Sequence, residues 1–231
     1  CYALTSITLP DGLTSIGNGT FWDCSSLTSI TLPESLTSIG EAAFLHCYSL
    51  TSITLPESLT SIGDDAFYGC NNLLVVINKS DLTITAGSRD NGYVAYYATI
   101  VTDSESKIKT VGDYIFYADG DTVELIAYTG NETSITLPSD YEGKNYSIGK
   151  KAFYNCDSLT SVTIPEGVTS IGENAFYWCD ALTSITLLEG LTSIGDAAFC
   201  YCSALTSITL PEGVTSIGDY AFHGCSSLTS I

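Results

Sequence analysis

The residues of this chain best equipped for chemistry are its cysteines, and their spacing is fixed. Cys1, Cys24, Cys47 and Cys70 recur every 23 residues, as do Cys156, Cys179, Cys202 and Cys225. Thiols at a constant interval could bridge to one another or hold a metal. In a stack of like coils the α-carbons of neighbouring cysteines would lie about 5 Å apart, a separation the disulfide range does not exclude. Stacked copies share one rotamer and one direction, however, so a bridge would force pairs out of register. No C-x-x-C and no paired cysteine–histidine spacing occurs, which leaves zinc unsupported. The expectation is a buried ladder of free thiols acting as small hydrophobes. Cys200 stands off the beat, two residues before Cys202, and is expected to be an exposed, reactive thiol.

Other reactive groups are few or repeated. His46 and His223 are the only histidines, and no G-x-S-x-G or phosphate-cradling glycine pattern accompanies them. The chain is therefore read as non-enzymatic, with no catalytic residue, no metal site and no cofactor. Hydroxyls form rows instead: Thr5, Ser6 and Thr8 recur as Thr28, Ser29 and Thr31, then Thr51, Ser52 and Thr54, and again as Thr160, Ser161 and Thr163. A second row comes from Thr14, Ser15 and their equivalents. These are good exposed strand residues, and also a regular lattice that could match a periodic ligand. Carboxylates stack too, at Asp11, Glu34 and Glu57 and, one turn on, at Glu41 and Asp64. Like charges a few ångströms apart repel, which a counter-ion or basic partner would relieve, although no calcium-loop pattern is present.

Sequence varies most just before each cysteine. Those positions hold Trp22, Leu45, Tyr68, Tyr154, Tyr177 with Trp178, Tyr201 and His223. A row of aromatics could anchor a protein or glycan, or the rings could simply stack on one another along a corner. Trp22, Tyr68, Tyr154, Tyr177, Trp178, Tyr201 and His223 are taken as the candidate contact strip.

The elements that would position these groups follow from the repeated unit, C-x-x-L-T-S-I-T-L-P-x-x-L-T-S-I-G-x-x-A-F-x-x. An exact period of this length means one supersecondary unit stacked on copies of itself. Leu4, Ile7 and Leu9 turn inward from a short strand, and Pro10 ends it because proline lacks a ladder donor. Leu13 and Ile16 begin a second extended segment, and Gly17 is expected to allow a sharp turn. Ala-Phe then fills the far corner. A disguised copy precedes Cys156, with four extra residues between Pro138 and Ile148. The period fails from about 74 to 132. There Leu73–Asn78 reads as a strand, Asn91–Val101 suits a short helix but allows a strand, and Tyr114–Thr129 is a β-hairpin around Asp119-Gly120. The chain thus divides into an N-terminal array (1–76), a β-rich island (77–132) and a C-terminal array (133–231).

At 231 residues and 45% hydrophobic content the chain can fill a solenoid core. It lacks any apolar run long enough to span a membrane as a helix. Its 26 acidic against 7 basic residues give a net charge of −19, which repels phosphate backbones and makes nucleic acid an unsuitable partner. No methionine is present, and both ends fall inside a repeat. We read the chain as cut from a longer array, with uncapped ends expected to fray or to contact one another between copies. Four N-x-S/T sequons, at Asn18, Asn78, Asn131 and Asn145, would matter in a glycosylating host.

The words L-x-x-I-x-L-P-x-x-L-x-x-I-G-x-x-A-F-x-x-C resemble the BspA-like, or Treponema-type, leucine-rich repeat family over about 1–76 and 133–231. The resemblance implies a leucine-rich-repeat, parallel β solenoid, secretion or display at the cell surface, and non-catalytic adhesion to matrix proteins, other cells or glycans. A structural spacer presenting another module is the alternative, with lattice binding through the Thr and Ser rows behind it.

Overall fold

The computed structural model describes residues 1–231 and divides into two compact units, Cys1–Ser106 and Lys107–Ile231. Each unit is a parallel β solenoid whose coils supply two short strands. In the first unit one ladder pairs Ser6–Thr8 with Ser29–Thr31, in the register Ser6↔Ser29 and Ile7↔Ile30 that a 23-residue coil requires. A second ladder joins Ser15–Ile16, Ser38–Ile39 and Ser61–Ile62. Alternation along Ser6–Thr8 and Ser29–Thr31 turns Ile inward and the flanking Ser and Thr outward, as the pleat dictates.

The inner lining is equally regular. Phe21, Phe44 and Phe67 stack with ring centroids 5.2 and 5.0 Å apart. In the second unit Phe153, Phe176, Phe199 and Phe222 repeat this at 4.7, 5.2 and 5.5 Å. The glycine that follows the second strand has a different role from the one expected. It takes no left-handed φ; instead a β-carbon on Gly40 would lie 2.7 Å from the Asn18 amide nitrogen and 2.8 Å from the Gly17 carbonyl carbon. Glycine is required there because adjacent coils approach too closely for a side chain.

The left-handed conformations sit two and six residues later, at the Ala-Phe corner. Ala42, Asp65, Asn174, Ala197 and Tyr220 have φ between 50° and 59°. Asp23, His46, Asn155, Trp178 and Tyr201 are left-handed too, at 54–62°. Backbone amides hold this corner from coil to coil, for example Phe176 N–H to the Ala198 carbonyl at 2.7 Å and Tyr201 N–H to the His223 carbonyl at 2.7 Å.

Residues 77–132 are divided between the two units. Val75–Asn78 is a coil strand, and Ile100–Thr102 pairs parallel to it in the register Val75↔Ile100, so an irregular 25-residue coil extends the first stack. Asn91–Val101 therefore forms turns leading into a strand and no helix; Val94, Ala95 and Ala98 are buried in the core of the first unit. The expected hairpin is present as Tyr114–Asp119 and Thr122–Tyr128. Its two-residue loop begins at Gly120, whose φ of 60° glycine adopts without strain. Ile108–Val111 adds a third antiparallel strand, and Thr122–Tyr128 pairs parallel with Tyr146–Ile148. The hairpin thereby starts a seven-stranded sheet that continues into the coils of the second unit. Phe116 from the hairpin is buried, with its ring 5.0 Å from Tyr141 and 5.3 Å from Tyr146. Ser134 pairs with Ser161, a spacing of 27, as the four-residue insertion demands, and a Tyr141–Lys144 bridge closes the inserted loop.

Candidate interaction surface

Cysteine forms the inner rail of each corner. Cys47 donates its thiol to the Phe21 carbonyl at 3.3 Å, Cys70 to Phe44 at 3.2 Å, Cys179 to Phe153 at 3.1 Å and Cys202 to Phe176 at 3.1 Å. A thiol is small enough for the core and still satisfies a carbonyl of the preceding coil, which explains the fixed residue type. All nine cysteines are free. Burial, helped by neighbouring Cys24, pushes the Cys47 thiol up to about 12, and burial drives Cys70 higher still. Thiolate chemistry is suppressed along this rail. Cys200 departs from the sequence expectation: it is 4% exposed, its thiol interacts with the Tyr177 phenol, and burial pushes it up as well. The Tyr177 phenol and the backbone of Tyr201 both reach this thiol.

The hydroxyl rows are partly absorbed by the fold. In most coils the threonine that opens a T-S pair donates its hydroxyl to the carbonyl of the matching position one coil earlier. Thr28 reaches Thr5 at 3.1 Å, Thr60 reaches Thr37 at 3.0 Å, Thr183 reaches Thr160 at 3.0 Å and Thr192 reaches Thr169 at 2.9 Å. Nowhere do three or more His, Cys, Asp or Glu side chains converge as metal ligands. One shallow depression gathers Asp64, Asp65, Arg89 and Asp90, and another Asp140, Asn145 and Glu166, both without histidine or cysteine. No helix is long and apolar enough to cross a membrane.

The aromatic positions separate by unit. In Lys107–Ile231 they form one connected strip. Tyr154 stacks on Tyr177 at 5.5 Å with 6° between planes, and Tyr177 meets Trp178 at 5.1 Å. Trp178 lies 6.3 Å from Tyr201, and Tyr201 lies 5.5 Å from His223. Tyr154, Trp178, Tyr201 and His223 are exposed, while Tyr177 is half-buried beneath them. Tyr220, which the sequence reading missed, joins the end of the strip 5.9 Å from His223 and is 73% exposed. It precedes the Ala-Phe pair rather than the cysteine, so a search confined to residues before cysteine passes over it.

In Cys1–Ser106 the rings gather differently. Tyr68 contacts His46 and Tyr93, and the row continues through Tyr96 to Tyr97. His46 also stacks on Tyr48 and pairs through Nδ1 with Asp23 at 3.1 Å. Tyr93, Tyr96 and Tyr97 come from the irregular coil, where no cysteine marks the register. Trp22 is 53% exposed, and a β-carbon on Gly19 would lie 3.7 Å from Cε3 of its ring.

Backbone conformation sets two residues of the strip apart. The position before each cysteine is left-handed, and elsewhere it holds Asp23, His46, Gly69, Asn155 or Gly224, types that tolerate that region. Trp178 and Tyr201 adopt φ of 60° there although they are bulky, a strain of about 1–3 kcal/mol each that the corner ladder holds in place. Gly224 completes the arrangement: a β-carbon on it would fall 2.9 Å from Cε1 of the Tyr201 ring, so the ring lies on bare backbone of the next coil.

The repeat, its registers and its thiol-and-phenylalanine lining coincide with a known sequence family. The model of the BspA type leucine-rich repeat region matches residues 1–119 and 124–231, in six copies. The chain belongs to this family. No curated protein matches it. Among solved structures, a leucine-rich cell surface protein from Faecalibacterium prausnitzii A2-165 shares 27% identity over 99% of this chain and 59% of its own, with a TM-score of 0.49. A leucine-rich repeat protein from Bacteroides capillosus ATCC 29799 shares 35% over 54% of this chain and 96% of its own, at 0.48. The pneumococcal vaccine antigen PcpA shares 24% over 97% of this chain and 61% of its own, at 0.60, a likeness of fold. The BspA-type chain thus spans 59% of the first of these structures.

Proposed function

We propose that this BspA-type chain is a non-catalytic recognition module, secreted or displayed at a cell surface, that adheres to an extracellular protein or glycan through the aromatic corner of Lys107–Ile231. Membership of the repeat family supports the non-catalytic, surface-exposed reading. The observation that carries the choice of face is the connected strip from Tyr154 to His223, in which Trp178 and Tyr201, and Tyr220 at its end, are large exposed rings on left-handed backbone. Residues held in unfavourable backbone conformations cluster where function requires them, and exposed aromatics are the strongest single contributors to interfaces.

An array of extracellular-matrix proteins and glycans tests the reading, probed with the wild-type chain and with a Trp178→Gly/Tyr201→Gly double variant. Capture by the wild type and loss in the variant is the expected result; capture that survives the double substitution would place the contact elsewhere. A spacer role is favoured by the threonine ladder, which commits surface hydroxyls to holding coils together. It predicts a blank array for both proteins.

A further inference from the structure

We infer that the partner of the aromatic corner is a basic polypeptide segment, bound extended along the coil stack with lysine or arginine at alternate positions over Trp178 and Tyr201. The inference rests on the aromatic-corner reading above and adds the chemistry of the partner. Three observations carry it. From Ala152 to Ile231 the chain contains eight Asp and Glu and no Lys or Arg. At the head of the strip Lys150 pairs with Glu173 and Lys151 lies over Tyr154, so the coils bearing Trp178, Tyr201 and Tyr220 carry no Lys or Arg. Asp180 follows Trp178 by two residues, and Asp219 adjoins Tyr220, placing carboxylates on the same corner turns as the rings.

Second, the molecule already seats cations on rings where it has them. The Lys151 ammonium lies 5.5 Å from the Tyr154 ring centre at the head of the strip, and the Arg89 guanidinium lies 5.7 Å from Tyr96 in the other unit. Both fall within the reach of roughly 6 Å over which the ring quadrupole attracts a cation. Beyond Lys151 the strip runs on through Trp178, Tyr201, His223 and Tyr220 with rings and no cation.

Third, the spacing fits a polypeptide. Trp178 and Tyr201 are 6.3 Å apart. Alternate side chains of an extended strand fall about 6.6–6.8 Å apart on one face, so successive basic side chains can each take one ring. An ordinary phenol is neutral at pH 7, so the tyrosine ring faces are electron-rich without being anions.

Isothermal titration with a synthetic peptide of alternating arginine and serine tests this, with a peptide of citrulline and serine as the neutral isostere. The wild-type chain should bind the arginine peptide and not the citrulline one. The double variant Trp178→Gly/Tyr201→Gly should raise the dissociation constant by about tenfold or more. Because Gly69 and Gly224 occupy the same corner position, that variant retains the fold, which circular dichroism checks. Tyr201→Phe keeps the ring and should stay within about twofold of wild type. No binding of the arginine peptide, or equal binding by the ring-less variant, overturns the inference. Ring-dependent capture of a neutral glycan by a chain that ignores the arginine peptide also overturns it, while leaving the aromatic-corner reading intact. Partner capture indifferent to the rings overturns both.

Discussion

Individual residues in this chain are fixed by what lies one coil away. Cys47 shows how. Its native thiol keeps its proton to about 12, against 9.0 for an unhindered one. Between those values the unfolded chain binds fewer protons than the native one, so stability, complete below about pH 9, is lost as pH rises toward 12. The loss is about 1.4 kcal/mol per pH unit for each such thiol. Melting temperatures should accordingly be flat up to about pH 8.5 and fall steeply above it. A neutral-pH thiol reagent followed by intact-mass analysis should modify exposed Cys1 promptly, half-buried Cys156 and Cys225 more slowly, and Cys24, Cys47, Cys70, Cys179, Cys200 and Cys202 only after denaturation. Rapid labelling of Cys200 in the native chain would contradict its burial. The periodic thiols were legible from their spacing alone. Cys200 was not, because its burial depends on the packing of coils, including a contact with the phenol of Tyr177 in the preceding coil, which the local sequence does not write.

Among the elements, the corner stack and the hairpin carry the most consequence. Phe176 is fully buried between Phe153 and Phe199, so Phe176→Ala should lower stability by about 3–5 kcal/mol in denaturant unfolding. Thr192→Val removes only an exposed hydroxyl bond to Thr169 and should remain near 1 kcal/mol. Parity of the two would mean that the threonine ladder, not the apolar lining, holds the coils. The strands, the hairpin and the four-residue insertion could be read from period and turn residues. The turns of Asn91–Val101 could not. Their valines and tyrosines satisfy helix and strand patterns equally, and only pairing of Ile100–Thr102 with Val75–Asn78 decides the matter.

At the scale of the whole chain, each compact unit carries its own core. Phe116, with Val123 and Leu125, belongs to the core of the second unit, so the hairpin serves as the cover of its first coils. Lys107–Ile231 produced alone should melt cooperatively as a β protein. Removing 107–129 from it should abolish that transition, and retention would show the hairpin to be dispensable. A net charge of −19 concentrates repulsion along the acidic rows, so moderate sodium chloride should raise the melting temperature of the full chain. The same salt should weaken an arginine peptide bound at the corner, because exposed charge pairs are screened.

By itself the sequence determined the coil. A 23-residue period with Leu, Ile and Phe at fixed places admits one economical way to bury them, and the register of every regular ladder follows from that number. Tertiary structure alone decided what the corner presents. Whether Tyr177 lies under Trp178, whether Tyr201 rests on bare glycine and whether Tyr220 joins them depend on left-handed backbone held by hydrogen bonds to the next coil. Those bonds join residues some 22 positions apart, and local propensity says nothing about them. Period is a property of the chain, whereas a surface is a property of neighbours.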